Sequence, residues 1–152
     1  MQAATQEQSV REGLPTVGVM SVETYQAFWP QIAEQLEAIQ HMWAPWYTLE
    51  FLRTCQGVDW EVWGACQGGE LEVVVYTTVA IYSSCTVYRI PLAFGRNIKK
   101  YIPVLDAQFT KIAGDLGCDD LEVVGREGWG RVFGVKPVAH IFRRPVQHHR
   151  VN

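Results

Sequence analysis

Between residues 85 and 146 the sequence reads as strand, loop, amphipathic helix, strand, glycine-rich turn and strand. That order confines the chain to folds in which helices pack against a sheet. The helix is the plainest part. Ile98, Ile102, Leu105, Phe109, Ile112 and Leu116 recur at steps of three and four, while Lys99, Lys100, Asp106, Gln108, Lys111 and Asp115 fall largely off that stripe. Gly117 supplies its end, and Pro103 sits far enough inside to make the first turn separate or irregular. Residues 121–124 follow as a buried strand, residues 129–133 as a short helix and residues 137–146 as a last strand.

Upstream of this region the period is that of strands. Trp60-Glu-Val-Trp-Gly-Ala-Cys66 leads to the turn Gln67-Gly-Gly69, and Leu71-Glu-Val-Val-Val-Tyr-Thr-Thr-Val-Ala-Ile-Tyr82 returns from it, rich in β-branched and aromatic residues. A third strand over residues 86–92 extends the hairpin into an antiparallel meander. Before it, Ser21 reads as the N-cap of a helix in which Tyr25, Phe28, Trp29, Ile32, Leu36 and Ile39 share one face. Pro30 predicts a kink or a fresh turn within it. Thr48 starts a second helix carrying Leu49, Phe51 and Leu52, and Trp43, Trp46 and Tyr47 make an aromatic elbow around Pro45.

A chain of 152 residues fits one domain with one core. Residues 1–16 read as a polar arm, 17–146 as the domain and 147–152 as a C-terminal tail. The net charge of -3 argues against a nucleic-acid partner, which calls for clustered excess Lys and Arg. Arg143, Arg144 and Arg150, with His148 and His149, form a basic cluster near the end of the chain. Cys55, Cys66, Cys85 and Cys118 are widely spaced in apolar contexts and read as free buried thiols. Neither they nor His41, His140, His148 and His149 show metal-ligand spacing, so no metal site is expected. The polar start lacks the pattern of a signal peptide, and no apolar run nears the ~18 residues of a membrane span. A reducing cytoplasm and no membrane partner are the expectation.

The element order, and above all Leu121-Glu-Val-Val-Gly-Arg-Glu-Gly-Trp-Gly-Arg-Val-Phe-Gly-Val135, resembles the second half of a GNAT-type acyltransferase. The resemblance spans about residues 20–146 and implies an α+β fold, a central and mostly antiparallel twisted sheet flanked by helices. Within that fold the chain is similar to proteins of tailed phages, through Trp46-Tyr-Thr48, Leu92-Ala-Phe-Gly-Arg96 and Gly125-Arg-Glu-Gly-Trp129. In active relatives a Q/R-x-x-G-x-G/A loop binds the coenzyme A pyrophosphate at a helix N-terminus. The matching stretch here is Arg89-Ile-Pro-Leu-Ala-Phe-Gly-Arg-Asn97, which keeps one glycine of that pattern. The tyrosine that serves as general acid in many relatives aligns with Gly130, beside Trp129, which leaves Tyr101 and Tyr88 as possible substitutes.

From this worn pattern the sequence reading expects a non-catalytic phage virion or virion-assembly structural protein. It would contact other phage structural proteins in an oligomeric assembly, first in the host cytoplasm and then in the virion, and use no cofactor. Trp43, Trp46, Tyr47, Arg126, Arg143 and Arg144 are the candidate contacts. The alternative is an acetyl-CoA-dependent N-acetyltransferase holding its cofactor through Gly95, Arg96 and Asn97; a further alternative is a phage inhibitor of a host defence protein. Glu61, Glu70 and Glu72 are candidates for a general base, although strand alternation puts such residues on the solvent face.

Overall fold

The β-branched run in the middle of the chain becomes the centre of a five-stranded sheet. In the computed structural model, which describes residues 17–43, 46–125, 133–139 and 143–145, strands β1 (Val17–Val19), β2 (Glu61–Gln67), β3 (Glu70–Ile81), β4 (Thr86–Gly95) and β5 (Asp120–Val123) lie side by side in sequence order. Neighbours from β1 to β4 are antiparallel, and β5 runs parallel to β4. Helices α1 (Val22–Ala38) and α2 (Leu49–Thr54) precede β2, and α3 (Ile98–Asp115) makes the crossover that a parallel neighbour requires.

Local signals place the helix starts. The Ser21 hydroxyl accepts the Thr24 N–H at 3.1 Å, and the Thr48 hydroxyl accepts the Phe51 N–H at 3.1 Å. The fresh turn that Pro30 could have begun does not occur, for α1 runs through it as one helix. Pro30 lies on the exposed side of the helix, away from the packed face. Pro103 is likewise exposed and internal to α3. That helix closes at Gly117, whose φ of 72° allows the Cys118 N–H to return to the Ala113 carbonyl at 2.8 Å. Leu116, the last member of the expected stripe, falls beyond the helix and is exposed, while Tyr101 and Ala113 join the buried face.

Each face of the sheet carries a core. On one, Tyr25, Phe28, Ile32 and Leu36 of α1 and Leu52 of α2 pack on Val62, Val74 and Tyr76. On the other, Tyr101, Ile102, Leu105 and Phe109 of α3 pack on Trp63, Val73, Val75 and Tyr88. The expected short helix lies mostly outside the described residues, of which Phe133 is buried against the α3 core. The expected last strand differs: within it, residues 137–139 and 143–145 belong to no strand.

Candidate active site

The site begins where β4 and β5 part. β5 pairs with Val87 to Ile90, and the last cross-strand bond runs from the Val124 N–H to the Ile90 carbonyl at 3.0 Å. Beyond it, residues 91–95 of β4 have no strand on that side among the described residues. The cause lies in the pairing with β3. Tyr76 stands opposite Leu92 but Thr78 opposite Arg89, so Ile90 and Pro91 together face Thr77. This is a bulge, and Pro91, with no N–H to contribute to a ladder, is suited to it. The extra residue inverts the alternation of the strand: Tyr88 and Ile90 face α3, whereas Leu92 and Phe94 face α1 and α2. Added twist at a bulge gives a physical reason for the two parallel strands to diverge at this point.

At the far end of β4 the chain turns directly into α3. Gly95 is the final residue of the strand rather than part of a loop, with φ 142° and its backbone packed on β3. The Arg96 N–H donates to the Glu72 carbonyl at 2.8 Å. Asn97 is left-handed, with φ 55°, and its side chain caps nothing in the helix. The first turn of α3 holds no acid. Instead exposed Lys99 and Lys100 line, with Asn97 and Ile98, a hollow of about 430 Å³, and Arg96, also exposed, precedes them in the chain. An uncapped helix start with cations around it has the polarity that attracts an anion, since free N–H groups and the helix dipole already point there.

Glu72 supports this corner. Ala65 pairs with Val73 and Cys66 with Leu71, so Glu72 is the extra residue of a second bulge. That bulge overrides the solvent-facing position expected from alternation and aims the carboxylate at α3, where it accepts the Tyr101 hydroxyl at 3.0 Å and the Asn97 amide at 3.4 Å. Burial, and then the Glu72 carboxylate, raise the Tyr101 hydroxyl above its ordinary value. Tyr88 lies in the α3 core with its hydroxyl buried beside Thr77 and Trp63, and burial raises it also. Neither tyrosine offers a free hydroxyl to the cleft. Glu61 and Glu70 are exposed at the two ends of the hairpin.

The aromatic elbow divides. Trp43 is buried and its indole N–H donates to the Leu36 carbonyl at 2.9 Å, so it belongs to the core and not to a contact surface. Tyr47 is half-buried and Trp46 exposed, with the Arg143 guanidinium over the Trp46 ring at 5.1 Å. Arg144 is exposed. Arg126, Trp129 and Gly130 lie outside the described residues. Among those described, no group of three His, Cys, Asp or Glu is placed to hold a metal ion, and no helix is long and apolar enough to cross a membrane. The sequence reading missed both bulges. A proline inside an apparent strand was the available signal for the first, and the second had none.

No protein-family model and no curated protein matches the sequence. Solved structures do match the fold. A probable acetyltransferase aligns with a TM-score of 0.62 at 13% identity, over 88% of this chain and 99% of its own. A ribosomal-protein-alanine N-acetyltransferase from Brucella melitensis biovar Abortus 2308 aligns with a TM-score of 0.59 at 12% identity, over 84% and 99%. An aminoglycoside acetyltransferase from an uncultured soil metagenomic sample, in complex with sisomicin, gives 0.57 at 12%, over 86% and 95%. The chain has the GNAT-like fold. On this scaffold the expectation of a non-catalytic phage virion or assembly protein is overturned, because these structural neighbours are acetyltransferases and nothing among them points to a phage particle. The missing glycines of the loop have a local explanation as well: the strand continues to Gly95, so Phe94 fills the core instead of lying beside a ligand.

Proposed function

We propose that the protein is an acetyl-CoA-dependent N-acetyltransferase. One observation carries this reading: β4 leaves β5 at the Ile90–Pro91 bulge, and its second half, with no strand on that side among the described residues, ends at the uncapped, basic start of α3. The acetyltransferases of the same fold support it. Arg96, Lys99 and Lys100, with the backbone amides of Ile98 and Lys99 at the start of α3, would hold the phosphates. The unpaired backbone of residues 91–95 would take the amides of the pantetheine arm as a sheet edge takes an added strand. When bound, acetyl-CoA supplies a thioester whose carbonyl carbon gains a bond to a neutral amine nitrogen as its bond to sulfur breaks. The nitrogen gives up a proton to water and the thiolate leaves, taking a proton from water. With the Tyr101 hydroxyl committed to Glu72 and Tyr88 sealed in the core, the chain's contribution is to bind, orient and desolvate the reactants.

Calorimetric titration with acetyl-CoA tests this. The wild-type chain should bind, and the Arg96→Glu/Lys99→Glu pair should weaken binding at least about ten-fold, with an affinity in the wild type that falls as salt rises. No heat at millimolar acetyl-CoA, in a chain shown to be folded, sinks the reading. Release of free thiol in the presence of amines then tests transfer.

A further inference from the structure

The exposed ring of Trp46 is the outer end of a connected row of aromatic rings. Trp46 meets Tyr47 at 6.0 Å between centroids, Tyr47 meets Trp60 at 5.0 Å, and Trp60 meets Tyr76 at 5.8 Å. Tyr76 pairs in the sheet with Leu92, the first β4 residue past the bulge. The row therefore leads from the surface into the core of α1 and α2, beside the half of β4 that lies past the bulge. Its inner ring is fully buried and belongs to the core, Tyr47 and Trp60 are half-buried, and Trp46 is 47% exposed. Any occupant is confined to the outer three rings.

A cation already rests on the outermost ring. The Arg143 guanidinium lies 5.1 Å from its centroid, although Arg143 is far from Trp46 in sequence. Indole is the strongest aromatic partner for a cation, because the negative face of the ring attracts positive charge, and at an exposed site such a contact is weak enough to exchange for another cation.

Building on the transferase reading, we propose that the acceptor is an amine with a second positive charge, and that the Trp46 face holds this second charge in the place Arg143 occupies. The two ends of the acceptor do different work. One nitrogen is neutral and attacks the thioester, forming the C–N bond as the C–S bond breaks and passing its proton to water. The other stays protonated on the ring and takes no part in the bond changes. Arg143 acts as an internal competitor that the acceptor displaces.

The test is a titration with octamethylenediamine and with octylamine, equal in carbon number but differing in the second charge, run with and without acetyl-CoA. Wild type, Trp46→Leu, which keeps apolar bulk but removes the ring, and Arg143→Gln are compared. The diamine should bind the wild type at least about ten-fold more tightly than octylamine, lose most of that preference in Trp46→Leu, and bind several-fold more tightly to Arg143→Gln. Equal binding of the two amines, or a preference that survives Trp46→Leu, overturns it. A chain that binds the diamine through Trp46 but never releases thiol upholds the cation site and sinks the transferase reading. One that acetylates both amines alike does the reverse.

Discussion

A Cβ on Gly95 would lie 2.1 Å from the Glu72 carbonyl oxygen and 2.7 Å from the Val73 Cα, both backbone atoms that no rotamer change can move. Gly95→Ala should therefore push β4 off β3 and cost about 3 kcal/mol or more. Gly114, exposed in the last turn of α3 with open space around it, should respond in the opposite direction, with Gly114→Ala gaining about 0.5–1 kcal/mol. Urea denaturation of the two variants measures both, and a neutral Gly95→Ala would mean that the strands are not so closely apposed. The sequence marked Gly95 for its place in a phosphate-loop pattern. Its physical requirement is the approach of β3, which depends on a residue more than twenty positions away and has no local signature. Glu72 shows the same limit, because alternation is reliable only where the register runs without a bulge.

At the scale of elements, the caps were legible and the bulges were not. Ser21 and Thr48 act within three residues of themselves, so the sequence marks both helix starts. α2 has only six residues, too few to sustain a helix by propensity alone, and it leans on that cap and on Leu52. Thr48→Ala should cost about 1 kcal/mol, with amide exchange over residues 49–54 accelerated beyond that of α1. Unchanged exchange there would show that packing alone holds the turn. The separation of β4 from β5 is an element-scale event of another kind. Pro91 is visible in the sequence, but its consequence needs the partner strand, since a bulge is defined by two residues facing one.

Across the whole molecule, α1, α2 and the sheet meet at a buried hydroxyl chain. Tyr25 donates to the Leu52 carbonyl at 2.5 Å, so its hydroxyl oxygen accepts from Tyr76 at 2.8 Å. Burial raises both tyrosines above their ordinary value of 10.0 and pushes the nearby Cys55 thiol from 9.0 up to about 12. The folded chain thus keeps protons that the unfolded chain gives up. The stability these groups contribute is complete below pH 9.0 and falls as pH rises from there toward about 12. The melting temperature should drop across that window, and Tyr76→Phe, which removes one of the three groups, should make the drop shallower. A melting temperature flat across that window would contradict the arrangement. By itself the sequence determined the α+β class, the meander, the helix starts and the amphipathic stripe of α3, because each rests on contacts or periodicities a few residues long. It misjudged the function because it compared the β4–α3 junction with a loop pattern. Only the tertiary structure decided that the strand runs on to Gly95, that β4 and β5 part at a bulge, and that Arg143 reaches the ring of Trp46. Those depend on register and on contacts between distant segments, which no local pattern records.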